Sequence, residues 1–197
     1  MSDITPTRAA VLELQDERRS MREGYEFLDE KRLLLAAEML RELKRYESLW
    51  AGFQRALQEA ATALREAVAR HGFEGVQVYP PARFETLALE IAPAILLGVR
   101  LQQATLRAEL GSAPPALNPS PEAERCRRVF VDVIEQSAAL AAIAGNLERL
   151  RHEYRRTERR ARALEDVLLP EIGSTIYDLE SRLEEVEQEE AIRVRQV

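Results

Sequence analysis

The side chains able to do chemistry are few and scattered. Cys126 is the single cysteine and His71 and His152 are the only histidines. No Cys/His set therefore stands at metal-ligand spacing, and no internal disulfide can form. Both histidines fall near the polar faces of helical stretches, where an imidazole is solvated rather than poised as a general base. Paired carboxylates are abundant, yet on water-exposed helices nothing desolvates one of them into a catalytic pKa. Cys126 falls on an apolar stripe as a packing residue, and Tyr25, Tyr46, Trp50 and Phe53 fall at seam positions rather than forming a stacking platform. The sequence has no G-x-x-x-x-G-K-[ST] phosphate loop, no G-x-G-x-x-G, no G-x-S-x-G elbow and no H-E-x-x-H. These observations predict a protein that is not an enzyme and uses no cofactor or metal.

One charged cluster stands out. Arg149, Arg151, Arg155, Arg156, Arg159, Arg160 and Arg162 form a basic belt, and the C-terminal end beyond it is acidic, with Asp178, Glu180, Glu184, Glu185, Glu187, Glu189 and Glu190. In an antiparallel helical hairpin the belt lies roughly opposite Glu30, Glu38 and Glu42, and cross-helix pairs of that kind contribute little each. The alternative is a docking surface, in which guanidinium groups grip the acidic loops of a surrounding ring through paired hydrogen bonds. Over the whole chain, 28 Lys+Arg against 34 Asp+Glu leaves a net charge of −6. That balance argues against nucleic acid or an anionic membrane as the main partner.

The elements that must position these residues are helices. Thr5 and Pro6 read as N-cap and first helical residue, no proline interrupts residues 7–71, and Gly72 reads as a stop of positive φ. Ser120, Pro121 and Glu122 repeat the start signal, and from there to Val197 only Pro170 intervenes. In the first stretch apolar residues recur at Met21, Tyr25, Leu28, Leu35, Met39, Leu43, Tyr46, Trp50, Phe53, Leu57, Ala60, Leu64 and Ala67. Their steps alternate four and three, the pattern of a coiled-coil seam, with a stutter at Leu35, Met39 and Leu43. The last stretch repeats the pattern from Cys126 to Val186, with a phase shift between Leu164 and Ile176 around Pro170. At 1.5 Å per residue the two helices would be about 95 and 110 Å long.

The expected fold is all-α: a long antiparallel two-helix coiled coil, divided into an N-terminal helix over 1–72, a middle segment over 73–120 and a C-terminal helix over 121–197. Such a rod has little core of its own and belongs in an assembly. In the middle segment Leu87, Leu89 and Ile91 alternate with Thr86, Ala88 and Glu90, and Val99-Arg100-Leu101 begins a second run. A short β-hairpin turning near Ala92 to Gly98 follows. No stretch approaches 18 consecutive apolar residues, and Met1 to Pro6 lacks the features of a signal peptide. The expectation is a chain without a direct membrane span.

Thr5-Pro6-Thr7-Arg8, then Gly24, Leu28, Lys31-Arg32 and Leu34-Leu35, and near the other end Thr157, Arg159-Arg160, Ala163-Leu164-Glu165, Pro170, Ile172 and Ile176 carry a resemblance. The chain resembles the D subunit of the V/A-type rotary ATPases over both long helices, and the run Arg-Arg-x-x-Ala-Leu-Glu followed by the proline is its most specific part. Arg162 departs, because an uncharged polar residue is commoner there. The resemblance implies the central stalk, or rotor shaft, of an ATP synthase/ATPase that couples ATP synthesis to proton or sodium transport. It also implies partners: the ring of catalytic A and B subunits, the stalk's F subunit on the side, and the C subunit at the membrane-side socket. The chain would be peripheral, on the cytoplasmic side, with no nucleotide site of its own. Thr7, Arg8, Arg155, Arg159, Arg160, Glu165 and Pro170 are the expected contacts with the ring. A prefoldin-like coiled-coil chaperone and a free coiled-coil adaptor are the alternatives.

Overall fold

The computed structural model describes residues 5–112 and 114–195. Residues 1–4, read above as free of a leader segment, lie outside the described residues. The element order is α1 (Arg8–Gln77), β1 (Phe84–Leu96), β2 (Val99–Leu110), α2 (Pro121–Ala163), a π-helical turn (Leu164–Leu168) and α3 (Leu169–Arg195). The long N-terminal helix, the antiparallel hairpin and the long C-terminal helical stretch are those expected, with four local corrections.

The first correction is at the start. Thr7, not Thr5, caps α1, because the Ala10 N–H donates to Thr7 Oγ1 at 3.2 Å and the Val11 N–H to the Thr7 carbonyl at 3.1 Å. A capping hydroxyl must lie two or three residues before the orphan N–H it satisfies, so Thr5 and Pro6 fall outside the helix. At the other end Gly72 has the expected positive φ, at 72°, but one more helical turn follows it up to Gln77.

The second correction concerns the hairpin, which is longer than its alternation suggested. β1 continues through Pro93 to Leu96, and a two-residue turn at Leu97 (φ 50°) and Gly98 (φ 85°) leads into β2. Positive φ at both central residues is the tight turn whose twist matches that of the flanking strands. Pro93 is tolerated inside a strand because it pairs with Gln102, whose own N–H and C=O turn away from β1 toward Asn146, at 2.8 Å each. Position 93 is therefore a non-hydrogen-bonded pair, and the N–H that proline lacks would point away from β2.

The chain forms two compact units, Met1–Ala36 with Glu153–Val197 (the terminal unit) and Ala37–His152 (the hairpin unit). In the terminal unit α1 runs antiparallel to the C-terminal helices. Arg8 meets Glu187, Gln15 meets Glu180 and Lys31 meets Glu153, around a core of Val11, Ile172, Ile176 and Leu179 with Leu14 and Met21 against it. The phase shift expected near Pro170 takes the form of the π turn, closed by the Leu169 N–H onto the Leu164 carbonyl. Pro170 has no N–H to offer the Asp166 carbonyl and its ring would crowd that oxygen in a regular α-helix. The wider turn relieves both conflicts and takes up the extra residue in the four-residue steps from Leu164 through Leu168 and Ile172 to Ile176, against 3.6 per turn in α-helix.

In the hairpin unit Ala60, Ala63 and Ala67 of α1, Ala123, Leu140, Ile143 and Leu150 of α2 and Val99, Leu101 and Ala108 of β2 are buried. This is the third correction: along α1 the buried positions after Leu35 are Glu38 and Glu42, not Met39 and Leu43, and Ala63 rather than Leu64. The stutter is therefore not the seam the helix uses. Glu38 and Glu42 can occupy it because Arg41 and Arg45 reach back to their carboxylates, at 2.6 and 2.7 Å, and Asn146 approaches Glu42 at 3.4 Å. The displaced apolar row stays outside, with Trp50 at 41% and Leu57 at 48% exposure.

The fourth correction is His71, which is not a solvated side chain. Its Nε2 lies 2.7 Å from Ser120 Oγ, the hydroxyl that caps α2 by accepting the Ala123 N–H at 3.2 Å, and its ring stands edge-on to Tyr79. The helical stretch Pro121–Arg195 also contains an 18-residue window with a mean hydropathy of 1.2, long and apolar enough to cross a membrane on composition alone. In the hairpin unit α2 faces both α1 and β2, which accounts for apolar residues on more than one of its sides.

Leu97 has a Cβ in a left-handed conformation that asparagine adopts more readily. Leu97→Asn should stabilise the hairpin by about 1 kcal/mol, read as a higher urea midpoint of the hairpin amides in hydrogen exchange, with the helices unaffected.

Candidate functional site

All seven sequence-predicted contact residues fall in the terminal unit and all seven are exposed. They form two groups. Thr7 and Arg8 sit where α1 begins. Arg8 is held by Glu187, its Nε at 3.0 Å and an Nη at 2.7 Å from one carboxylate oxygen, a surface pair that contributes little to stability but orients the guanidinium. Arg155, Arg159 and Arg160 lie toward the end of α2, beside the Lys31–Glu153 pair. At 1.5 Å per residue, Arg8 and Lys31 are about 35 Å apart along α1, so the structure does not bring the two groups into one patch.

The cross-helix pairs expected between the belt and Glu30, Glu38 and Glu42 do not form among the described residues. Glu38 and Glu42 are taken by their own-helix arginines. Arg149 turns to Asn146 and Gln102, Arg151 to Glu148 and Arg162 to Glu158. The one cross-helix pair near the belt is Lys31 Nζ to Glu153 at 2.6 Å. Arg155, Arg156, Arg159 and Arg160 have no ion-pair partner among the described residues, and they are two i,i+4 pairs on exposed helix surface. Like charges so placed repel one another.

Glu153 records that field. Its carboxyl is lowered below the ordinary glutamate value, first by the hydrogen bond from Lys31 and further by the charges of Lys31, Arg156 and Arg160, against desolvation, which raises it. On the same unit Glu165, in the π turn, lies near the Tyr25 phenol and raises its pKa. Leu164 packs beside Gly24 of α1, where an added Cβ would lie 3.9 Å from its Cδ1. Pro170 follows the turn on an exposed surface.

The hairpin unit carries a second surface, whose residues the apolar spacing assigns to the seam. Tyr46, Trp50 and Phe53 stack in succession, with ring centroids 6.0 and 5.8 Å apart. An apolar groove of about 390 Å³ runs beside them between Met39, Leu40 and Leu43 of α1 and Ala144 and Leu147 of α2. Cys126, half-buried, has its thiol pushed up by desolvation. Sequence reasoning missed Glu135 and Asn146, whose side chains bind the backbone of β2. A signal was present: Gly145-Asn146, two poor helix formers together in the middle of a long helix.

The described residues thus present exposed arginines without ion-pair partners on one unit and an apolar side groove and strand hairpin on the other. The family model for the ATP synthase D subunit matches residues 10–197. The chain is 27% identical over 195 residues to the D subunit of the V-type ATP synthase of Thermotoga neapolitana, covering 98% of this chain and 96% of that one. It is 28% identical over 200 residues to the D subunit of the A-type ATP synthase of Methanopyrus kandleri, covering 100% and 86%. To the D subunit of the V-type ATP synthase of Anaeromyxobacter dehalogenans it is 30% identical over 209 residues, covering 99% and 95%. The chain belongs to the ATP synthase D-subunit family: it is part of a V/A-type ATP synthase, a component rather than a catalytic subunit. This family takes the place of the prefoldin-like and adaptor alternatives.

Because the folded pKa of Glu153 is depressed, its contribution to stability is present above the ordinary glutamate value, about 4.3. It is lost as the pH falls through the lower, folded value. Lys31→Met should move the Glu153 titration upward, measured by NMR of the side-chain carboxyl carbon, and shift the onset of acid unfolding of the terminal unit to higher pH.

Proposed function

We propose that this chain is the central stalk of a V/A-type ATP synthase, the shaft that passes rotation between the catalytic ring of A and B subunits and the ion-translocating ring in the membrane. Catalysis resides on the A and B subunits, the coupled ion is a proton or sodium, and the shaft is peripheral on the cytoplasmic side. The observation that carries this reading is the set of four exposed arginines, Arg155, Arg156, Arg159 and Arg160, left without ion-pair partners among the described residues of a D-subunit chain.

The physical logic is differential contact. A single asymmetric shaft inside a ring of three catalytic pairs presents a different face to each pair. If arginines on one face meet acidic loops in only one conformation of a pair, that pair is biased toward that conformation, and turning the shaft moves the bias on. Thr7, Arg8, Glu165 and Pro170 would serve the same ring contacts. Thr7 and Arg8 fix the start of α1, and Glu165 and Pro170 set the local twist through the π turn. The F subunit is assigned to the apolar groove lined by Leu43 and Tyr46, because an exposed aromatic and aliphatic row needs a cover in an assembly. The C subunit is assigned to the socket at the membrane side.

Replacing Arg159 and Arg160 together by Glu should weaken assembly with the A/B ring about tenfold, which corresponds to about 1.4 kcal/mol, and reduce the salt dependence of binding. Helix content by circular dichroism should be unchanged, since neither arginine is paired among the described residues. Equal ring affinity for the variant and the parent would remove the arginines from the interface.

A further inference from the structure

We propose that Asn146 and Glu135 latch the β-hairpin to α2, so that hairpin and helix move as one body within the hairpin unit. Asn146 is 3% exposed, in the middle of a helix. Its carboxamide pairs with both backbone groups of one β2 residue, Oδ1 accepting the Gln102 N–H and Nδ2 donating to the Gln102 carbonyl, both at 2.8 Å. That is the pair of bonds a neighbouring strand would make. About three helical turns away, Glu135 accepts the Ala108 N–H at 2.8 Å. Gln102 and Ala108 lie on the same edge of β2, the edge turned away from β1, and α2 thus stands in for a third strand at two points.

The latch is built from both sides. Arg149 donates to Asn146 Oδ1 at 2.9 Å and to Gln102 Oε1 at 3.1 Å. A Cβ added at Gly145 would meet that guanidinium at 3.4 Å, an ordinary contact. Glu42 of α1 lies against Asn146 Nδ2. Asparagine disfavours helix interiors, and the bonds Asn146 makes to β2 offset that local cost. Val99, Leu101 and Ala108 already bury part of β2 in this unit; the latch adds fixed direction to a two-stranded hairpin that is marginal by itself. With it, a load on the hairpin is delivered to α2. The consequence for rotation rests on the stalk reading; the latch itself does not, and both are positioning roles.

The test uses the isolated full-length chain. Amide exchange by NMR should show Gln102 and Ala108 slow, and Ala104 and Leu106, on the same edge without such partners among the described residues, fast. Asn146→Ala should accelerate Gln102 at least tenfold and leave Leu101 and Gln103, which face β1, unchanged. Glu135→Ala should do the same at Ala108, while Glu135→Gln, which keeps the accepting oxygen, should leave Ala108 slow. Spin labels introduced by Glu90→Cys and Arg128→Cys in a Cys126→Ser background should give a narrow distance distribution that broadens when Asn146→Ala and Glu135→Ala are combined. Equal exchange at Gln102 with and without Asn146, loss of protection at Leu101 and Gln103 as well, or a distribution still narrow in the combined variant would each overturn the latch. Reduced turnover of the assembled synthase with the combined variant, ring binding intact, would extend the latch to rotation; unchanged turnover would confine it to the hairpin unit and count against its mechanical role.

Discussion

Two helices that pack chiefly on each other bury one narrow strip apiece, and that limit governs the rest of this structure. A strip a few residues wide per turn cannot hold every apolar side chain the sequence supplies. In the hairpin unit small residues, Ala60, Ala63 and Ala67, take the closest positions, while Leu43, Trp50, Leu57 and Leu64 stay at least one-third exposed. An excess of outward apolar surface is costly for an isolated chain and useful for one that is always covered by partners.

The same limit shapes the polar groups. Carboxylates at Glu38 and Glu42 occupy strip positions only because arginines three residues on neutralise them and keep their own charged ends in water. Around Asn146 the polar atoms of α1, α2 and β2 satisfy one another in a single network. A partly satisfied network there would be worse than an apolar contact. In the terminal unit the conflict is geometric instead: a proline in a helix that must keep its stripe facing its neighbour. The π turn at Leu164–Leu168 answers it and places Glu165 within reach of Tyr25.

How much of this was legible depends on which physics set each feature. Helix lengths and the hairpin were readable because proline, glycine and period-two alternation act locally: Ser120 and Pro121 start α2 where their chemistry says they should. The phase shift at Pro170 was readable as a break in spacing, though not as a π turn, since spacing counts residues and not hydrogen bonds. The seam of α1 was misread at Met39 and Leu43 because hydrophobicity ranks methionine and leucine above glutamate. The partner helix and Arg41 and Arg45, which reverse that order, are visible only once the chain is folded. Thr5 and Thr7 offer the same cap signature two residues apart, and only the bond to Ala10 separates them. Of the expected contact residues, only folding shows that Arg155, Arg159 and Arg160 are without ion-pair partners among the described residues while Arg8 is held by Glu187. The belt's other members Arg149, Arg151 and Arg162 are consumed within the chain.

The central claim is that this subunit serves as the single axle of a ring. Native mass spectrometry of the synthase purified through one of its A subunits measures that most directly. The account predicts one copy of this chain for every three A/B pairs, retained at low salt and released as salt rises. Several copies per ring, or a chain recovered only in assemblies of its own kind, would contradict it.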